Sequence, residues 1–368
     1  MQEIETFNRH MMTLARDSRG ITQSRLAKLM TVGQGTVSKY ESGLSTPPDA
    51  FIDELALCLN YDRDFFFQSA RIYGMPPFHY RKRKKLSQKA LDRMIAEMNI
   101  RRLHLARLLK SYDWNPSGKI IEIDREEYMG GSRNPFSVEE AARQLREHWL
   151  VPDGPIENIV SLIEEMGGII IPCNFNSDLI DAVSQRIDGM PVLFFVNMNA
   201  PADRIRLTLC HELAHMVLHT TTLLDDEEME VEADRFAGSF LLPASAFRSQ
   251  FGKFNIRQVA NLKRHWKVSM SAIVMRADNL KLITPYQKKS FFIEMGKLGY
   301  RKNEPNEPPK EYPRKIAEIL SYYRRELNYT KSDIAKLLLI RPDEFDTMYD
   351  PDMFSGGSGG RPTLRVVK

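Results

Sequence analysis

The residues best equipped for chemistry lie in the decapeptide CHELAHMVLH, residues 210–219. It holds three of the chain's eight histidines, His211, His215 and His219, spaced four apart, with Glu212 directly after the first. On an α-helix, residues four apart sit one turn along and about 40° around from each other. His211 and His215 can therefore aim two imidazoles at one ion. Glu212 lies at the flank of that face, where its carboxylate can reach a polarised water without ligating the ion. HExxH supplies this arrangement to zinc hydrolases. The ion lowers the pKa of water towards about 7, and a glutamate base then takes the proton. His219 continues the same face, but a catalytic site keeps one position open. It is expected to be a hydrogen-bonded supporting residue.

Two histidines leave a third ligand to be found. The stretch DDEEMEVEADRFAGSFLLP (225–243) offers Glu227, Glu228, Glu230, Glu232 and Asp234. On a helix, Met229, Ala233, Phe236, Ala237 and Phe240 form the buried face. Glu232 adjoins that stripe, whereas Glu227 and Glu230 fall further round towards solvent. A carboxylate beside a buried face needs a cation or hydrogen bonds. The expected ligands are thus His211, His215 and Glu232, with Glu228 the nearest rival. Asp234 is expected to fix an imidazole tautomer. Two histidines and a carboxylate suit zinc first, with manganese the alternative.

The elements that must position these residues form an α+β unit. FSVEEAARQLREHW and NIVSLIEEMG predict helices; GGIIIP, DAVSQRI and PVLFFVN predict short strands of a small antiparallel sheet. Pro201 then opens the metal helix, and further helices follow to about 297. Upstream, residues 5–70 predict consecutive short helices. Residues 79–112 predict one long helix in which eleven Lys and Arg oppose only Asp92 and Glu97. The expected fold is mainly α. It comprises a five-helix N-terminal module (1–72), a basic connecting helix and linker (78–134), and a zincin-like domain (135–300). A Pro-rich charged linker (301–313), a helical end piece (314–350) and a flexible tail (351–368) follow. The longest apolar runs are too short to span a bilayer, so no membrane partner is expected. MQEIETFNRH shows no secretory signal. Cys58, Cys173 and Cys210 are odd in number and lack CxxC spacing, which argues for reduced thiols in a cytoplasm.

RIRLTLCHELAHMVLH followed by EVEADRFAGSFLLP resembles the ImmA/IrrE family of metallopeptidases, whose marks are HExxH, an E-A-D/N-x-F-A segment and L-L-x-P. The likeness runs over roughly 135–305 and includes VANLKRHWKVSMSAIVMRADNLKLIT and YRKNEP. It implies a gluzincin-like metallo-endopeptidase with His211, His215 and Glu232 as ligands and Glu212 as base. It also implies cleavage of a transcriptional repressor, in stress response or mobile-element and phage control. Counted from Glu232, the thermolysin-like ExxxD spacing is absent, because Phe236 stands there.

ITQSRLAKLMTVGQGTVSKYESGLSTPP (21–48) resembles the Cro/repressor-type (XRE) helix-turn-helix, over about 8–70. In that family the second helix enters the major groove. The resemblance sets Gln34, Gly35, Thr36, Ser38 and Lys39 against an operator duplex and Gln23 against a phosphate. Residues 1–70 carry slightly more acid than base, so the basic helix is expected to supply phosphate affinity. Two later stretches, IRQVANLKRHWKVSMSAIVMRA and TKSDIAKLLLIRPDEFDTMY, look like helix-turn-helices too. The second carries Asp343, Glu344 and Asp346, which repel phosphate, and is expected to pack or dimerise. The leading function is a DNA-targeted regulatory protease acting on a repressor, with homodimer formation left open. The alternatives are a regulator whose metal domain senses without proteolysis, and an antitoxin-like binder of DNA and protein.

Overall fold

The computed structural model describes residues 6–76, 86–123, 137–175, 179–220, 224–349 and 354. The basic run 81–85 and the expected tail, Phe354 excepted, lie outside the described residues. The chain divides into two compact units. One is Met1–Gly74 with Ser87–Trp114 and Tyr312–Lys368; the other is Met75–Leu86 with Asn115–Glu311.

The first unit opens with α1 (Arg9–Ser18), α2 (Gln23–Leu29), α3 (Gln34–Ser42) and α4 (Asp49–Leu59), then a 3₁₀ turn at Arg63–Phe67. Polar caps start these helices where the sequence turns: Asn8 accepts from the His10 N–H, and Thr22 from the Arg25 N–H. Gly43 at φ 76° ends α3 in the left-handed region that favours glycine. Among its described residues the module thus has four α-helices and a 3₁₀ turn.

The expected basic connector is corrected. Its described part is α5 (Gln88–Leu108), and it is a core element of the first unit. Met94, Met98, Ile100, Leu105 and Leu108 are buried, and so are two of its cations. Arg101 donates to the Met348 carbonyl at 2.7 Å, and Arg102 to the Arg71 carbonyl at 2.5 Å. Cations satisfied by buried carbonyls are withdrawn from phosphate. The end-piece helices α14 (Lys315–Arg325), α15 (Lys331–Leu337) and α16 (Pro342–Met348) belong to the same unit.

Asp17 on α1 gives this unit a pH dependence. Burial lifts its carboxyl to about 6, with Asp92 and Glu41 pushing the same way and Arg16 opposing. The folded value lies above the ordinary value of about 3.9, so the protonated form is favoured on folding. Stability therefore falls as pH rises from about 4 to about 6 and is level above that. Asp17→Asn is expected to flatten this slope and add about 1 kcal/mol at pH 7 after solvent screening. Melts of both proteins at pH 4, 5, 6 and 7 check it.

The second unit contains α6 (Val138–His148), α7 (Ile159–Glu165), β1 (Gly168–Pro172), β2 (Ala182–Gln185), β3 (Val192–Val196) and α8 (Ala202–Leu218). After these come α9 (Asp226–Leu241), α10 (Ala244–Gln250), α11 (Ile256–Trp266), α12 (Met270–Asn279) and α13 (Pro285–Lys297). The strand order is β1-β3-β2. The antiparallel expectation holds for β2 with β3 only, since β1 pairs with β3 in parallel, Ile170 facing Phe194. All five residues of β1 and of β3 are buried, the continuous apolar pattern of strands covered on both faces. Gly168 is required by packing, for a Cβ there would stand 2.6 Å from the Ile163 side chain.

Two expected linkers are corrected as well. Ile120 and Ile123 are buried in the second unit's core, and the Ile123 N–H donates to the Val217 carbonyl at 2.8 Å. The Pro-rich stretch 301–313 brings glutamates to helix N-termini. Glu304 accepts from the Met270 N–H, Glu307 from the Ala202 N–H, and Glu311 from the Ile159 N–H. Glu311 also pairs with buried Arg206, and Glu304 with buried Lys263. Proline and charge mimic a solvated linker in composition, but helix dipoles and buried cations claim these acids. Glu307 thereby caps α8, the helix that carries HExxH.

Candidate metal centre and reading helix

Helix α8 is buried along most of its length because it lies between β2, β3 and α9. Its histidines therefore point into a closed seam. The Nε2 atoms of His211 and His215 are 3.2 Å apart. Glu230 Oε1 lies 3.6 Å from His211 Nε2 and 3.5 Å from His215 Nε2. These three residues offer ligand atoms that converge on one point. An ion held about 2.0–2.1 Å from tetrahedral donors spaces those donors about 3.3–3.4 Å apart. The donor set of two imidazoles and a carboxylate therefore fits zinc in chemistry and in spacing.

Glu232, the expected third ligand, is not the carboxylate that the structure sets against the paired imidazoles; that residue is Glu230. Successive residues of α9 turn by about 100°, which sets Glu230 next to Ala237 and Ala233 on the stripe's small-residue flank. Glu232 lies on the opposite flank beside Phe236. Alanines let a neighbouring helix approach closely, so the Ala flank meets α8. Glu232 Oε2 instead lies 3.3 Å from His219 Nε2. Glu228, the rival, is exposed in the first turn of α9. Counted from Glu230, the ExxxD spacing is present, and Asp234 completes it.

The imidazoles are oriented from behind. His211 Nδ1 lies 2.8 Å from Asp234 Oδ1, so the ring donates there and keeps the Nε2 lone pair for the cluster. His215 Nδ1 lies 2.9 Å from His219 Nδ1. A consistent proton arrangement runs from His215 Nδ1–H to His219 Nδ1, then from His219 Nε2–H to Glu232. Asp234 and His219 each stand behind one of the two paired imidazoles.

Glu212 is 1 % exposed and faces the sheet. Its Oε2 accepts the Ser184 N–H at 2.8 Å and the Ser184 hydroxyl at 2.7 Å. Ser184 sits in edge strand β2, and nothing in the sequence marks it as part of a site. The neighbouring Cys210 is a packing residue, its thiol pushed up to about 12 by burial.

Residues 164–278 match the family model of the IrrE N-terminal-like domain, a peptidase family. This is an IrrE-like metallopeptidase-type domain. The match takes in α8 and α9 whole, with every residue of the cluster. A second match, to the helix-turn-helix family, covers residues 14–66. A comparison with curated proteins finds no match. The chain thus joins a helix-turn-helix domain to an IrrE-like domain, and no helix among its described residues is long and apolar enough to cross a membrane.

In the helix-turn-helix, α3 carries Gln34, Gly35 and Lys39 exposed, with Thr36 and Ser38 partly so. Half-buried Arg16 on α1 fixes the frame by gripping Glu41 at 2.5 and 3.0 Å. Glu41 accepts from the Gln23 amide at 2.8 Å, and Gln23 from the Gln34 amide at 2.9 Å. Gln23 opens α2, so this chain of bonds sets two amides side by side at the starts of α2 and α3.

Proposed function

We propose that this chain is a regulatory zinc metallo-endopeptidase that cleaves a transcriptional repressor or related helix-turn-helix protein in the cytoplasm. Its N-terminal module carries it to operator DNA beside that substrate, and cleavage relieves repression in stress response or phage control. The observation that carries the reading is Glu212 between two ligand histidines, its carboxylate pinned by Ser184. A sensor has no use for a base at that position.

His211, His215 and Glu230 would hold zinc, which when bound acts as a Lewis acid on the scissile carbonyl. Asp234 and the His219–Glu232 pair hold the two imidazoles in the ligating tautomer. Glu212 accepts a proton from the attacking water and returns it to the leaving amine. The Ser184 N–H points off the sheet's edge towards Glu212, so that edge borders the site. An extended peptide can align there by main-chain pairing, which favours a flexible interdomain segment as the target.

The test is incubation of the zinc-loaded chain with purified helix-turn-helix repressors, including any encoded beside it. Intact-mass spectrometry is expected to show two fragments whose masses account for the substrate plus one water, and a chelator is expected to stop their formation. Zinc binding with no cleavage across the panel would overturn the protease reading.

A further inference from the structure

The end piece of the first unit repeats its beginning. Gly20 and Thr31 have positive φ, 61° and 53°; Asn328 and Leu339, each 308 residues later, have 55° and 59°. Thr22 caps α2 through the Arg25 N–H, and Thr330 caps α15 through the Asp333 N–H, again 308 residues on. Helices α3 and α16 begin at matching positions, Gln34 and Pro342. The buried residues correspond too: Met12 with Leu320, Leu26 with Ile334, Ala27 with Ala335, Val37 with Phe345. The turn between helices closes alike, with Val32 N–H to the Ala27 carbonyl at 3.0 Å and Ile340 N–H to the Ala335 carbonyl at 3.1 Å. Helices α14, α15 and α16 are thus a second helix-turn-helix in the same register as the first.

Its reading face has changed chemistry and direction. Gly35, Thr36 and Ser38 are replaced at matching positions by Asp343, Glu344 and Asp346. Glu344 pairs with Arg19 at 2.6 Å, at the end of α1. The Asn60 amide, at the end of α4, donates to Asp343 at 3.1 Å and to Glu344 at 3.2 Å. The turn of the second motif also pairs with the first, as the Asp62 N–H donates to the Leu339 carbonyl at 3.1 Å and Tyr61 bridges Ile340. The first turn of α16 is thus tied to the first motif through Asp343 and Glu344, and the exposed Asp346 further along adds negative charge that repels phosphate.

We infer that residues 314–349 are an inward-facing helix-turn-helix that serves as a built-in partner of the first, leaving one reading helix per chain and a single, non-palindromic DNA half-site. This rests on the DNA-binding part of the proposed function. Two-fold dimers of such motifs place two reading helices about one helical turn apart, so their operators are palindromic. Here the α1 and α4 ends of the first motif are already covered by the second.

The experiment is selection of bound duplexes from a random pool with the full-length protein, followed by sedimentation of the selected complex. An asymmetric site bound by one chain is expected. Gln34→Ala with Lys39→Ala is expected to lower affinity about tenfold or more. Asp346→Ala with Thr347→Ala, both exposed on α16, is expected to change it less than about twofold and leave the selected sequence unaltered. A palindromic site holding two chains, or a selected sequence altered by the α16 pair, overturns the inference alone. Failure to select any duplex overturns the DNA-binding reading and the inference with it. Separately from DNA, Glu344→Arg is expected to reduce amide protection across α15 and α16, and unchanged exchange there refutes the docking.

Discussion

Glu212→Gln is expected to keep one equivalent of zinc and to lower the cleavage rate by about 10²–10⁴-fold, the usual contribution of a positioned acid–base group. The substitution is close to isosteric. The amide oxygen can still accept from the Ser184 N–H and hydroxyl, which now hold Glu212 at 2.8 and 2.7 Å. The candidate ligand cluster is His211, His215 and Glu230, so the change removes no donor from it. What it removes is the capacity to take a proton from water. Zinc by elemental analysis and initial rates on a cleaved repressor give the two readouts. Activity within about threefold of the parent would remove Glu212 from the chemistry, and loss of zinc would give it a structural role.

The centre was legible to the extent that helical periodicity governs it. HExxH sits on one buried helix, so spacing alone brings His211 and His215 together and puts His219 behind His215. Closeness to the apolar stripe favours Glu232, whereas the structure sets Glu230 against both imidazoles. Both Glu230 and Glu232 border that stripe, and only the partner helix decides which border faces His211 and His215. The alanines at 233 and 237 were the available signal. Ser184 was invisible because its role depends on strand order, and the parallel pairing of β1 with β3 is not written in five apolar residues. Composition misled at the joints. Eleven cations in 79–112 suggested a solvated phosphate-binding rod, whereas Arg101 and Arg102 are buried on carbonyls. Prolines and acids at 301–313 suggested a free linker, whereas Glu304, Glu307 and Glu311 cap helices. The repeat was visible as a helix-turn-helix pattern at 330–349, but its acids read only as unfit for DNA. Their partners, Arg19 and Asn60, lie some 280–325 residues away in sequence, beyond the reach of any local pattern.

Glu230→Ala and Glu232→Ala are expected to separate by at least tenfold in zinc affinity. A zinc site of four donors is worth about 10–16 kcal/mol, so removing one ligand forfeits roughly 3 kcal/mol, on the order of 10²-fold or more in dissociation constant. Glu230 is the residue whose loss should have that effect, since its Oε1 lies within 3.6 Å of both imidazole Nε2 atoms. Glu232 acts at one remove, through His219 on the Nδ1 of His215. Partners of this kind are worth about 10–100-fold in affinity, and the intervening ring puts Glu232 at the low end of that range. Competition with a chromophoric chelator measures both variants on the same scale. Glu230→Gln adds a control, because an amide oxygen restores volume but not charge and should recover little affinity. The opposite ranking, with Glu232→Ala the weaker binder, would return the third ligand to Glu232. It would also require the Glu232 carboxylate to leave His219 for the paired Nε2 atoms of His211 and His215.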